Sequence, residues 1–152
     1  MGFWNPIGSP LLTFGKENGL ALEQNDSQAL ALLCVNACLT KKAQDLTILD
    51  VRNLSSFTDY FILCTGTSDR QVQAVCAAVQ EYLKERKIRP LGIEGERHGR
   101  WILMDYGDVV IHIFYEAVRE LYDLERLWSE AQLRRVPEEV THLSSLEEVP
   151  GR

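Results

Sequence analysis

The sequence predicts a single α/β (α+β) domain, a mixed sheet of about five strands with flanking helices. Three observations lead there. Short apolar runs recur between residues 45 and 114, several of them with the alternation of a half-buried strand. Stretches with helical spacing lie early, midway and late in the chain. One run, YFILCT at 60–65, is apolar on both faces, as a central strand requires.

The 152 residues are 45% hydrophobic and 25% charged, which suits one globular domain with tails. The expected division is an irregular N-terminal extension at 1–26, a folded domain at 27–136 and an acidic tail at 137–152. Asp26 or Ser27 can cap a helix running to about Ala43, with Leu30, Leu33, Cys34, Ala37 and Cys38 on one face. Strands follow at Asp45–Val51 and Tyr60–Thr65, joined by a polar connection. Ser68, with Gln71 three positions on, forms a capping box for the clearest helix. Val72, Val75, Cys76, Val79, Tyr82 and Leu83 are its apolar stripe, and Lys84, Arg86 and Lys87 suit its C-terminal dipole. Pro90 stops it. Leu91–Ile93 is a short edge strand, and EGERHGR at 94–100 an exposed loop. A last helix is expected from Glu116 to Pro137, on the spacing of Leu121, Leu124, Leu127, Trp128 and Ala131.

Between those elements, WILMDYGDVVIHIF at 101–114 reads as a β-hairpin. With Tyr106 and Gly107 at the tip, Asp105 opposes Asp108, Leu103 opposes Val110 and Trp101 opposes His112. Ile102, Met104, Val109, Ile111 and Ile113 then form a core face. The other face mixes Trp101, Leu103, Asp105, Asp108, Val110, His112 and Phe114, and reads as a recognition surface. Tyr106 at the tip is expected to be exposed, as interface aromatics are.

Several function classes are excluded or weakened. No run approaches the roughly 18 apolar residues of a membrane span, and no secretory signal is evident, so a cytoplasmic protein is expected. Cysteines 34, 38, 64 and 76 fit neither a zinc spacing nor a disulfide framework and read as core. Residues 101–130 are acidic, with a net charge of −5, so their partner is expected to be a basic protein rather than nucleic acid read by sequence. His112 with Asp105 or Asp108 lacks a nucleophile, so no catalytic group is assigned. CTGTSDRQ at 64–71 has no phosphate-loop pattern, and Asp69 is the sole acid between Ser68 and Glu81, too few to hold magnesium. No metal site or cofactor is expected.

From about Ala29 to Leu133 the chain resembles the Iojap-type ribosomal silencing factor family. The resemblance is carried by KKAQDLTILDV (41–51), TDYFILCTGTSDRQV (58–72), EGE (94–96), WILMDYGDVVIHIF (101–114), then Glu116, Arg119, Tyr122 and LERLW (124–128). It implies a nucleotidyltransferase-like fold lacking the catalytic acids, and a protein that is not an enzyme. It further implies binding to the large ribosomal subunit through its basic protein fourteen, so that joining to the small subunit is blocked. Trp101, Asp105, Tyr106, Asp108, His112 and Glu116 fall within the shared motif and are the expected partner-binding residues. A homodimer of the free protein is compatible with the resemblance. The competing reading is a nucleotidyltransferase-like enzyme that binds nucleotides.

Overall fold

Strand β2 (Tyr60–Gly66) lies buried along almost its whole length, and the fold is assembled outward from it. The computed structural model describes residues 19–136. Within them a six-stranded sheet has the order β3-β4-β5-β2-β1-β6, one strand more than expected. The strands are β1 (Gln44–Asp50), β2, β3 (Gly92–Glu94), β4 (Trp101–Asp105), β5 (Val109–Tyr115) and β6 (Gln132–Arg135). Only β2 and β5 run parallel; every other neighbouring pair is antiparallel.

Helices α1 (Gly19–Leu39) and α2 (Asp69–Lys84) pack on one face of this sheet. Helix α1 starts inside the stretch read as an irregular extension and ends four residues before Ala43. The expected capping box forms at α2: Ser68 Oγ accepts from Gln71 N at 3.0 Å. Gln71 Oε1 reaches back one residue further than a simple box, accepting from Thr67 N at 2.7 Å. Val72, Val75, Cys76, Val79 and Leu83 are buried, as their spacing predicts. All four cysteines are free and buried in the same layer. Burial pushes the Cys34 and Cys76 thiols up, Cys76 to about 12, so both are packing groups at neutral pH.

The loop 94–100 is anchored to α2. Gln73 Nε2 donates to the carbonyls of Glu96 (3.0 Å) and Arg97 (3.1 Å). Gly99 has φ +69° and sits so close to α2 that a Cβ there would lie 2.7 Å from the Asp69 carbonyl oxygen.

The expected final helix is broken. Helix α3 (Glu116–Tyr122) ends at Asp123, whose φ of +47° is left-handed, and α4 (Leu124–Leu127) is a single turn. The chain then becomes strand β6, which pairs with β1 through Leu49 with Leu133 and Thr47 with Arg135. The apolar intervals misled because Leu121 and Leu127 are 74% and 72% exposed, while Leu124, Ala131 and Leu133 bury against the sheet. The tail expected at 137–152 and the first part of the N-terminal extension lie outside the described residues.

Candidate protein-docking face

Strands β4, β5 and β2 present a grid of side chains on the face opposite α1 and α2. Register places Trp101, Phe114 and Thr65 in one row, Leu103, His112 and Leu63 in the next, and Asp105, Val110 and Phe61 in the third. Helices α3 and α4 cover only part of this grid. Phe114, Leu63, Leu49 and Leu133 bury with Leu124 and Ala131, whereas Trp101, Leu103, Val110 and Phe61 remain half-exposed. The result is an apolar shelf walled by Trp128, whose ring lies 5.1 Å from that of Phe61.

The hairpin register differs from the predicted one by two residues: Trp101 opposes Phe114, Leu103 opposes His112 and Asp105 opposes Val110. Tyr106 N donates to Val109 O at 2.9 Å, so the tip is Gly107-Asp108, with Gly107 at φ +87°. A glycine at the first central position is what a type II′ hairpin turn selects. This shift turns Tyr106 onto the core face, where it is 5% exposed, and corrects its reading as an exposed anchor. Its hydroxyl is buried without a hydrogen-bond partner, and burial raises its pKa.

The remaining predicted residues divide. Asp105 is half-buried at the shelf edge and caps the turn, its Oδ1 accepting from Gly107 N at 2.8 Å. Asp108 is exposed at the tip, its carboxyl held above the usual range by partial burial and by Asp59. His112 is only 5% exposed, beneath the shelf. Its Nδ1 accepts from Trp101 Nε1 at 3.1 Å, and burial pushes its pKa down to about 4. Glu116 stands at the far end of β5, roughly 25 Å of strand from Asp108, so the six residues are spread along the hairpin and do not gather in one cluster.

Glu116 instead lines a cleft of about 650 Å³ with Asp45, Glu120, Asp123, Glu125 and Arg135, above the buried Arg119. The resemblance includes Arg119, but reading the residues themselves assigned it no role. Its Nη1 donates to Asp45 O (2.7 Å) and Thr65 Oγ1 (2.8 Å), and its Nη2 to Thr47 Oγ1 (3.1 Å). Nε and Nη2 both reach Glu125 Oε2, at 3.1 and 2.7 Å. This fork fastens α3 and α4 to β1 and β2. Asp45 takes a left-handed φ of +49° at the β1 irregularity, where its carbonyl meets Arg119. With every donor engaged, Arg119 is a clamp and leaves nothing for an anion.

Phe57, 91% exposed in the loop before β2, was also missed. Its loop abuts the hairpin tip, for Asp59 N donates to Asp108 O at 2.8 Å. A lone Phe among Ser and Thr gives no sequence pattern, although its exposure is what singles it out. Among the described residues no group of three His, Cys, Asp or Glu side chains could hold a metal ion, and no helix is long and apolar enough to cross a membrane.

A half-covered sheet with an aromatic floor and carboxylates at its rim has the construction of a protein-binding module. The family model described as "Ribosomal silencing factor during starvation" matches residues 24–150. The ribosomal silencing factor RsfS of Bacillus subtilis is 38% identical over 108 residues, which cover 71% of this chain and 92% of that one. A crystal structure of a protein from Chromobacterium violaceum superposes with a TM-score of 0.66 at 41% identity, covering 67% of this chain and 85% of its own. A mouse protein named mitochondrial assembly of ribosomal large subunit protein 1 is 32% identical over 100 residues, covering 64% of this chain and 44% of that one. The chain belongs to the ribosomal silencing factor family, which also takes in the chloroplast Iojap proteins.

Proposed function

We propose that this protein silences translation by docking on the large ribosomal subunit, where its bulk keeps the small subunit from joining. The observation that carries the reading is the shelf of Trp101, Leu103, Val110 and Phe61, left open beside Asp105 and Asp108 in a chain of this family. An apolar floor supplies anchoring, and rim carboxylates steer a basic partner and fix its register. The partner is the large subunit's protein fourteen, as the family resemblance implies. Trp101 is the aromatic contact, His112 supports it, and Asp105 and Asp108 meet basic side chains. A footprint extending across α3 brings in Glu116. Occlusion needs no cofactor and no catalytic group, and the protein acts in the cytoplasm.

The test is co-sedimentation with separated large subunits, small subunits and joined ribosomes. Retention on large subunits alone, with fewer joined particles after mixing, supports the reading. Absence from the large-subunit fraction at low salt overturns it.

A further inference from the structure

We propose that His112 is a positioning residue: its Nδ1 fixes the rotation of the Trp101 indole, so that the docking face meets its partner with that ring already set. The proposal rests on the docking reading above and names the device that prepares one of its contacts.

An indole has one hydrogen-bond donor, so the acceptor it finds decides how the ring turns. Trp101 and His112 are diagonal neighbours across the β4–β5 pair, and Nε1 to Nδ1 is 3.1 Å. The acceptor is itself held. Phe114 stacks on the imidazole at 5.9 Å with an interplanar angle of 11°, and Phe61 meets it edge-on at 5.3 Å. Trp101 is further gripped by Phe114 at 5.1 Å and by Tyr122 of α3 at 4.8 Å. Accepting at Nδ1 places the imidazole proton on Nε2, and burial keeps the ring neutral at physiological pH. The acceptor is therefore available at physiological pH. Trp101 is only half-buried, and without the bond its exposed edge would have to be ordered when the partner arrives, at a cost in affinity.

Two variants separate positioning from packing. His112→Phe keeps an aromatic ring but offers no acceptor. His112→Asn offers Oδ1 close to the place of Nδ1 but packs less well. The first readout is the Trp101 indole N–H resonance of the free protein and its hydrogen exchange. The second is affinity for large subunits set beside Tm. The expected result is that His112→Phe moves the resonance, speeds exchange and lowers affinity about tenfold or more while Tm holds or rises. His112→Asn restores the resonance and most of the affinity despite a lower Tm. An unchanged resonance in His112→Phe overturns the proposal, and so does affinity that simply follows Tm across both variants. If the wild-type protein fails to bind large subunits, the docking reading falls and takes the binding arm with it. If wild type binds and both variants bind equally well, the positioning role alone falls.

Discussion

Replacing Arg119 by Ala tests how α3 and α4 are held to the sheet beside the shelf. The guanidinium makes five hydrogen bonds, two of them to Glu125 and three to groups on β1 and β2. Truncation leaves the half-buried Glu125 carboxylate and the buried Thr47 and Thr65 hydroxyls without this donor. Stranding a buried polar group costs about 1–3 kcal/mol, and breaking a buried ion pair about 3–5 kcal/mol. These penalties overlap, so a loss of about 3–5 kcal/mol is expected for Arg119→Ala. That is a large share of the roughly 5–15 kcal/mol that domains of this size possess. Urea unfolding measures it, with Glu125→Gln and the double variant closing a cycle. Arg119→Lys should recover only part, because an ammonium cannot span Thr65, Thr47 and Glu125 together. A loss below about 1 kcal/mol for Arg119→Ala would refute the clamp, since that is the range of an exposed ion pair.

Three further outcomes are expected. Tyr106→Phe removes a buried hydroxyl that has no partner, and should leave stability unchanged or raise it by up to about 1 kcal/mol in thermal unfolding; a clear loss would mean the hydroxyl is bonded. The folded pKa of His112, about 4, lies below the ordinary value near 6.5. The unfolded chain therefore binds the extra proton between those values, and stability is full above about 6.5 and falls as pH drops towards 4. The contribution is on the order of 3 kcal/mol. Asp108, raised in the fold, works in the opposite sense, so the measurement is the difference in pH slope between wild type and His112→Phe, and equal slopes would contradict the assignment. Phe57→Ser should leave Tm within about 1 °C while weakening large-subunit binding, because the ring contributes almost nothing to the core; unchanged binding would place the footprint away from the β1–β2 loop.

What could be read ahead of the structure was whatever depends on near neighbours. Ser68 and Gln71 announced α2, and the alternation of Ile102, Met104, Val109, Ile111 and Ile113 separated core from surface, because both signals are complete within one element. The hairpin tip was harder. Tyr106-Gly107 and Gly107-Asp108 both fit the same four letters, and moving the tip by one residue changes cross-strand pairing by two and takes Tyr106 out of the turn, where strand alternation puts it on the core face with Ile102 and Met104. Arg119 was beyond reach for another reason. Its partners are Asp45, Thr47, Thr65 and Glu125, and nothing local in AVREL says that β1 and β2 lie beneath it. The break at Asp123 was legible in principle, since Asp tolerates a left-handed backbone, but evenly spaced leucines outweighed it.

Strand β6 has a consequence for how the protein comes into being. It is the last described strand, yet it pairs with β1, the first, and Val136 N extends the ladder to Leu46 O at 2.9 Å. Contacts this distant in sequence form late, because the chain between them must first be ordered. On the ribosome that makes it, β1 keeps an unpaired edge until residues 132–136 have cleared the exit tunnel. The segment that brings this strand home also carries Arg119, Leu124 and Trp128, the groups that clamp and wall the shelf. A partly made copy thus has its hairpin but not its finished shelf. A chain cut short before β6 would offer neighbours the open edge of β1.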